Sequence, residues 1–300
     1  MTEHLTELVR RRPHHGLADL VAGIVGMRER TTGVVRRRQP AGTLLPLVIS
    51  FGNSLDVVAL SEGEGAGRSY GSFFAGFMGG YATTAFEHSQ DCVQVYLTPW
   101  GAHRILGVPG NRLAGRVVAI DDVAPRLGGT LPDRLHAATS WPERFATVER
   151  VLLELADAGP EPDDVVTWMW KRLFATGGQA RIGGLIDSTG WSHRHVTTRF
   201  RDQLGITPKF AASVIRFERA STEIGELPLT DIAARHGYAD QSHFTRDVVR
   251  YAGESPIALT RAGRPTARTA LGLDGRGDRP TATAEGPVAK STARSETLSN

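Results

Sequence analysis

The sequence predicts an α+β protein: a β-rich N-terminal domain, a helical linker and an all-α C-terminal domain with two helix-turn-helix units. Three observations lead there. Short apolar runs separated by turn residues fill the stretch before residue 140. Two amphipathic patterns of helical period follow. From Ala180 to Arg261, a short apolar-periodic helix, a glycine turn and a second amphipathic helix then occur twice in succession. The expected division is a flexible lead over 1–12, a β-rich domain over 13–140, a helical linker or dimer contact over 141–175, a double helix-turn-helix domain over 176–262 and a disordered tail over 263–300.

In the lead, MTEHLTELVRRR is polar, with a basic run from Arg10 to Arg12. Leu17 to Met27 mixes small and apolar residues without a clean period and fits either a strand or a short helix. From Val34 the pattern is strand-like. Leu44 to Phe51 and Leu55 to Leu60 flank the turn signal Gly52-Asn53, the form of a hairpin. Residues 72–86 hold Phe73, Phe74, Phe77, Met78, Tyr81 and Phe86, broken by Gly76, Gly79 and Gly80. Strands are expected through Cys92 to Leu97 and Gly115 to Ile120, with a short helix between them from Trp100 to Leu106.

Two helices follow. Phe145, Val148, Leu152 and Leu155 share one face of Trp141 to Ala156, and Trp168, Trp170 and Leu173 mark Asp163 to Phe174. Their alternatives are a spacer, a dimer contact or a cover for the first domain.

In the first helix-turn-helix copy, Ile182, Leu185 and Ile186 lie on one helical face, Gly190 punctuates the turn and Ser192 stands at an N-cap position. Val196, Phe200 and Leu204 form the buried stripe of the second helix, and Gly205 ends it. The opposite face carries Arg194, Thr197, Thr198 and Arg201. A major groove admits one helix, and base edges there need short polar groups or a guanidinium. Arg194, Thr197 and Thr198 are therefore candidate base readers, and Arg201, further along, a candidate phosphate contact.

Thr207-Pro208 starts a joining helix as an N-cap followed by proline. Thr230 is expected to cap the next short helix. Phe244, Val248 and Tyr251 then face inward, and His243, Arg246 and Arg250 share the outward face of the second candidate recognition helix.

RHVTTRFRDQLGITPK, RFERA, LTDIAARHGY, QSHFTR and ESP, in that order and spacing, resemble the DNA-binding domain of AraC/XylS-type transcriptional regulators over roughly Thr176 to Ala262. The resemblance implies two recognition helices entering successive major grooves, and sequence-specific regulation of transcription. It carries groove-facing roles to Arg194, Thr197 and Thr198, and to Ser242, His243 and Arg246. Arg199 departs from the family, which usually has an apolar residue there, and Asp247 brings a negative charge close to DNA. The stretch from Ser72 to the second linker helix resembles a branch of these regulators with a poorly characterised N-terminal domain, which implies a regulatory or sensor role.

The remaining features limit the other function classes. Length suits about two domains of roughly 100–200 residues. The formal net charge is only +3, too small to indicate nucleic-acid binding by itself. A single cysteine, Cys92, excludes a disulfide framework and a Cys-rich zinc site. The histidines lack metal-ligand spacing, and the glycines match neither a P-loop nor a dinucleotide fingerprint. The expectation is no catalytic site, no metal and no cofactor; the alternative is an enzyme or redox domain centred on Cys92 fused to a DNA-binding domain. The aromatics of 73–86 either pack a core or line a ligand pocket, whose first candidates are Phe73, Phe77, Tyr81 and Trp100. No apolar run approaches a membrane span, and no signal-peptide core is seen, so the expected location is cytoplasmic. Expected partners are double-stranded promoter or operator DNA, with a small-molecule effector, RNA polymerase and a second copy of the chain as further candidates.

Overall fold

The computed structural model describes residues 5–262 and 271–273. The first half is one antiparallel sheet of eight strands: β1 (Leu5–Arg11), β2 (Val21–Gln39), β3 (Leu45–Ser50), β4 (Leu55–Leu60), β5 (Arg68–Tyr70), β6 (Phe73–Ala75), β7 (Ala82–Leu97) and β8 (Val117–Ala119). The order across it is β1-β2-β7-β3-β6-β8, with β4 on β7 and β5 on β4. Helices α1 (Pro99–Leu106), α2 (Ile120–Val123), α3 (Leu131–Ala137), α4 (Trp141–Ala158) and α5 (Asp164–Ala175) precede the C-terminal set. That set is α6 (Ile182–Asp187), α7 (His193–Leu204), α8 (Pro208–Ser221), α9 (Leu229–Arg235), α10 (Gln241–Ala252) and α11 (Pro256–Ala262).

β2 and β7 are the long strands on which the sheet is built. Their pairing breaks between Arg30 and Val34, where three β2 residues face His88 alone, and His88 takes φ 65°. Unequal lengths of chain at one point bend the pair. On its other edge β7 takes two strands in line, one on each side of the bend: β3 pairs with Cys92 to Leu97 and β4 with Ala82 to Ala85. The expected hairpin of β3 with β4 therefore does not form. Gly52-Asn53 lets the chain step from one segment of β7 to the next instead of folding back.

Two further expectations at the ends are corrected. Residues 5–11, expected in a flexible lead, form β1, paired with β2 from Leu5↔Arg30 to Arg11↔Ile24. Within the expected disordered tail, Leu271 packs on Gly23, where an added Cβ would lie 2.6 Å from its Cδ2; the rest of 263–300 lies outside the described residues.

The helices between the halves are built into the core. Trp141 of α4 lies flat on Gly26 of β2, where a Cβ would come 2.4 Å from the ring. Arg144 is buried beside it, donating to the carbonyls of Leu135 and Ala138 under the rings of Phe51 and Trp141. Trp170 of α5 touches Phe77 of the sheet domain (centroids 5.5 Å apart) and Phe200 of α7 (6.4 Å). One apolar cluster thus runs from the sheet through α1, α4 and α5 to Ile186, Val196, Phe200 and Leu204 of the first helix-turn-helix unit. The second unit has its own cluster, Val214, Phe217, Ile232, Phe244, Val248 and Tyr251, with Ala41 from the β2–β3 loop.

Where sheet, α1 and α7 meet, a void of about 10 Å³ is lined by Phe77, His103, Leu113, Gln203 and Leu204 among others. That is room for about one water. His103 Nδ1 finds no partner there, and burial lowers the imidazole pKa from its ordinary 6.5. The folded chain keeps His103 neutral where the unfolded chain would take a proton. Its contribution to stability is therefore complete above about 6.5 and is lost as pH falls from there toward the lower pKa of the folded state. Urea unfolding on either side of it should show lower stability on the acid side, and His103→Gln should flatten that slope; an unchanged slope in the variant would refute the assignment.

Candidate DNA-binding surface

The first unit is α6, a turn and α7. Gly190 takes φ 71° in the turn, a conformation open to glycine, and Thr189 Oγ1 accepts from Trp191 N there. Ser192 Oγ accepts from His195 N and so starts α7 as an N-cap. Val196, Phe200 and Leu204 bury one face. Gly205 at φ 78° closes the helix, its N–H on Arg201 O at 2.7 Å. On the outer side Arg194, Thr198 and Arg201 are exposed, and Thr197 is half-buried with its hydroxyl 3.4 Å from His193 Nδ1. These four are thus at least partly accessible to solvent on α7.

The second unit repeats the design with α9 and α10. Pro228 occupies the N-cap of α9 without a side-chain bond, so Thr230 falls inside that helix and is not its cap. Asp240 caps α10: its Oδ1 accepts from His243 N at 2.7 Å. Sequence reasoning missed this cap, although an acidic residue just before an apolar-periodic run is a readable signal. Phe244, Val248 and Tyr251 are fully buried. Ser242 and Arg246 are exposed; Arg246 Nε lies back on Ser242 O at 3.3 Å. His243 is half-buried against the edge of Tyr238, its Nδ1 accepting from Ala239 N, which leaves Nε2 to carry the proton. Arg250 is set apart from them. Its guanidinium stacks on Tyr251 and meets Glu62 of the sheet domain at 3.6 Å.

Several nearby charges have internal work. Arg199 pairs with Asp163, the N-cap of α5, and stacks on Trp191. Arg216 donates to Gly237 O at 3.1 Å, and Arg219 donates to Phe174 O. Asp247 stands near buried Tyr238, and burial followed by that carboxylate pushes the phenol above its ordinary range. The helix faces alone did not reveal these roles, because every partner lies off the helix that carries the charge, and Asp163, Phe174 O and Gly237 O lie well away in sequence.

The four aromatics proposed for a ligand pocket do not gather round one cavity. Phe73 and Phe77 belong to separate apolar clusters. Tyr81 lies under Arg38, and Trp100 donates to Asp19 O beside Lys171. A surface groove of about 420 Å³ lies instead between α3 and α4, lined by Arg134, Ala137, Ala138, Glu143, Ala146, Thr147 and Arg150. Cys92 is fully buried in β7, and burial pushes its thiol up to about 12. A nucleophilic or redox-active cysteine needs the opposite shift and some exposure. Among the described residues no group of three or more His, Cys, Asp or Glu is arranged to hold a metal ion. No described helix is long and apolar enough to cross a membrane.

Residues 185–262 match a family model described as a helix-turn-helix domain. The chain is 36% identical over 87 residues to an HTH-type transcriptional regulator of Bacillus subtilis strain 168, YbfI; the match spans 28% of this chain and 31% of that protein. Among solved structures, ToxT from Vibrio cholerae is similar over 86% of this chain and 97% of its own, at 7% identity and a TM-score of 0.46. The C-terminal domain of AraT, a response regulator from Geobacillus stearothermophilus, is similar over 34% of this chain and 88% of its own, at 22% identity and a TM-score of 0.32.

Replacing Asp240 by alanine removes the acceptor for His243 N and should cost about 1 kcal/mol. Denaturant unfolding of the variant measures this; a loss near zero would mean that water caps α10 equally well.

Proposed function

We propose that the chain, whose residues 185–262 match a helix-turn-helix family model and resemble the AraC/XylS type, is a sequence-specific transcriptional regulator whose N-terminal half senses a ligand or partner. The observation that carries this is the pairing of two capped helices, α7 and α10, each with one face buried and a polar or cationic face open at its first turns. In this reading Arg194, Thr197 and Thr198 of α7, and Ser242, His243 and Arg246 of α10, meet base edges. Arg201 holds a phosphate. Arg250 does so after exchanging Glu62, an exposed partner of the weak kind, for the DNA backbone.

A regulator of this type acts in the cytoplasm on promoter or operator DNA. RNA polymerase, a small-molecule effector and a second copy of the chain are its further proposed partners. The effector acts by favouring one of two arrangements, which requires different affinities for them. Enzyme chemistry at Cys92 gains no support from a buried thiol held protonated.

Selection of bound sequences from a random duplex pool by the purified chain, at two salt concentrations, tests the proposal. Two enriched motifs support it, and the absence of any sequence preference overturns it. On the selected duplex, Arg246→Ala should weaken binding by about 1–3 kcal/mol and relax preference at one position. An unaltered preference would remove Arg246 from the base readers. Arg201→Ala should weaken all sequences about equally and reduce the salt slope by roughly 1. A slope that does not move would argue against a phosphate contact there.

A further inference from the structure

The two helix-turn-helix units are joined by α8, but they do not share a core. Ala211, Ala212 and Ile215 of α8 belong to the cluster of the first unit and the sheet, whereas Val214, Phe217 and Ala220 belong to that of the second. Within the C-terminal domain, α8 is therefore the bar on which the two recognition helices are hung. The N-terminal half grips that assembly at three places, and none of them is on the first turns of α7 or α10.

The first grip is at the end of α7. Gly110 and Gly205 interlock backbone to backbone: a Cβ on Gly110 would lie 2.3 Å from Gln203 O, and one on Gly205 2.3 Å from Gly110 O. Asn111 Nδ2 donates to Asp202 Oδ1 at 3.2 Å, and the N–H of Asp163 donates to Gln203 Oε1 at 2.7 Å. The second is on α8. Thr43, in the β2–β3 loop, donates its hydroxyl and its N–H to the carboxylate of Glu218, which is buried. The third is at the end of α10. Ala41 N donates to Tyr251 O at 2.9 Å, and Arg38 donates to Gly253 O at 2.7 Å while pairing with Glu254 at 3.1 Å. Tyr81 closes on Gly253, where a Cβ would come 2.6 Å from the ring.

The contacts of Arg38, Ala41 and Thr43 engage backbone carbonyls and a buried carboxylate, so they transmit position where a contact between flexible tips would yield; at the end of α7 the backbone interlock of Gly110 with Gly205 does this, and the exposed pair of Asn111 with Asp202 adds to it. They hold the ends of both recognition helices from one body, the sheet domain. DNA is sensitive to such placement. One added base pair moves a groove by about 3.4 Å along the axis and turns it by about a tenth of a revolution.

We propose that the N-terminal half fixes the separation and angle of the two recognition helices, so that Arg38, Thr43 and Asn111 set the operator spacing the protein accepts without touching a base. The inference rests on the reading that both α7 and α10 bind DNA. It makes these three positioning residues, and it gives the N-terminal domain a direct part in specificity.

The test uses the full chain and duplexes carrying both selected motifs at their selected separation, or with one or two base pairs inserted or removed. Thr43→Val, Arg38→Gln and Asn111→Ala are compared with the unaltered protein, singly and combined, with thermal melting to verify folding. The unaltered protein should lose roughly tenfold in affinity at the first inserted base pair, the scale of one mismatched pair. The combined variant should lose about threefold or less, with affinity for each motif alone unchanged. A spacing profile in the folded variants that matches the unaltered protein overturns the proposal. If the combined variant does not fold, Thr43→Val and Asn111→Ala are read by the same criterion. Binding to one motif only in the unaltered protein also overturns it, yet leaves sequence-specific DNA binding intact. Absence of any sequence preference refutes the underlying DNA-binding reading instead.

Discussion

Phe200 joins the two halves through one continuous apolar cluster. It is fully buried on α7, stacks on Trp170 of α5, and through that ring reaches Phe77 at the sheet. The apolar cluster it belongs to begins at Leu17 and Ile24 in the N-terminal half and ends at Ile215 on α8. Burial of aromatic surface is the largest favourable contribution available here, and close packing leaves little slack. The first recognition helix therefore inherits its orientation from the sheet. The second does not. Its core is separate, and its ties to the N-terminal half are mainly hydrogen bonds and ion pairs at Arg38, Ala41, Thr43 and Glu62. Each adds only about 1 kcal/mol net, but where it is buried, as between Thr43 and Glu218, it fixes direction and distance. The two units are alike in sequence pattern but are held to the N-terminal half by different means, α7 by apolar packing and α10 by directional polar bonds.

What was legible in the sequence was what is decided locally. Ser192, Thr207-Pro208 and Gly205 mark their helix ends because a cap satisfies backbone groups within three residues of itself. The stripe Phe244, Val248, Tyr251 reads as an inward face because helical period is a local property. The base-reading candidates of α7 follow from its outer face by subtraction, whereas those of α10 come from the resemblance. Strand partners are decided elsewhere. Nothing near Gly52-Asn53 shows that β7 is long enough to take β3 and β4 end to end. β1 was misread for the same reason: a polar, half-exposed strand such as LTELVRR is recognisable only beside the β2 edge that completes its hydrogen bonds. The aromatics of 73–86 show the limit from another side. Composition marks them as apolar, but only tertiary packing puts Phe77 against Trp170, Phe73 against Tyr70 and Tyr81 under Arg38.

The modest charge of +3 is compatible with a nucleic-acid surface once the arginines are sorted by what they touch. Arg199, Arg216 and Arg219 all belong to the C-terminal domain, and all three are spent internally on Asp163, Gly237 O and Phe174 O. Arg235 is paired with Glu223. Arg194, Arg201 and Arg246 have no ion pair among the described residues and stand exposed on the outer sides of α7 and α10. A field that steers a polyanion depends on where uncompensated charge sits, because screening at physiological salt confines it to about 8 Å. A few guanidinia without ion pairs on the outer sides of α7 and α10 are therefore felt by a phosphate backbone that the whole-chain total would scarcely attract. Arg199 illustrates the same sorting within one helix. By turning back to the cap of α5, it removes a positive charge from the open face of α7 and adds a tether to the N-terminal half. Departure from the apolar residue usual in the AraC/XylS-type domains it resembles thus exchanges packing within the helix-turn-helix unit for attachment to its neighbour.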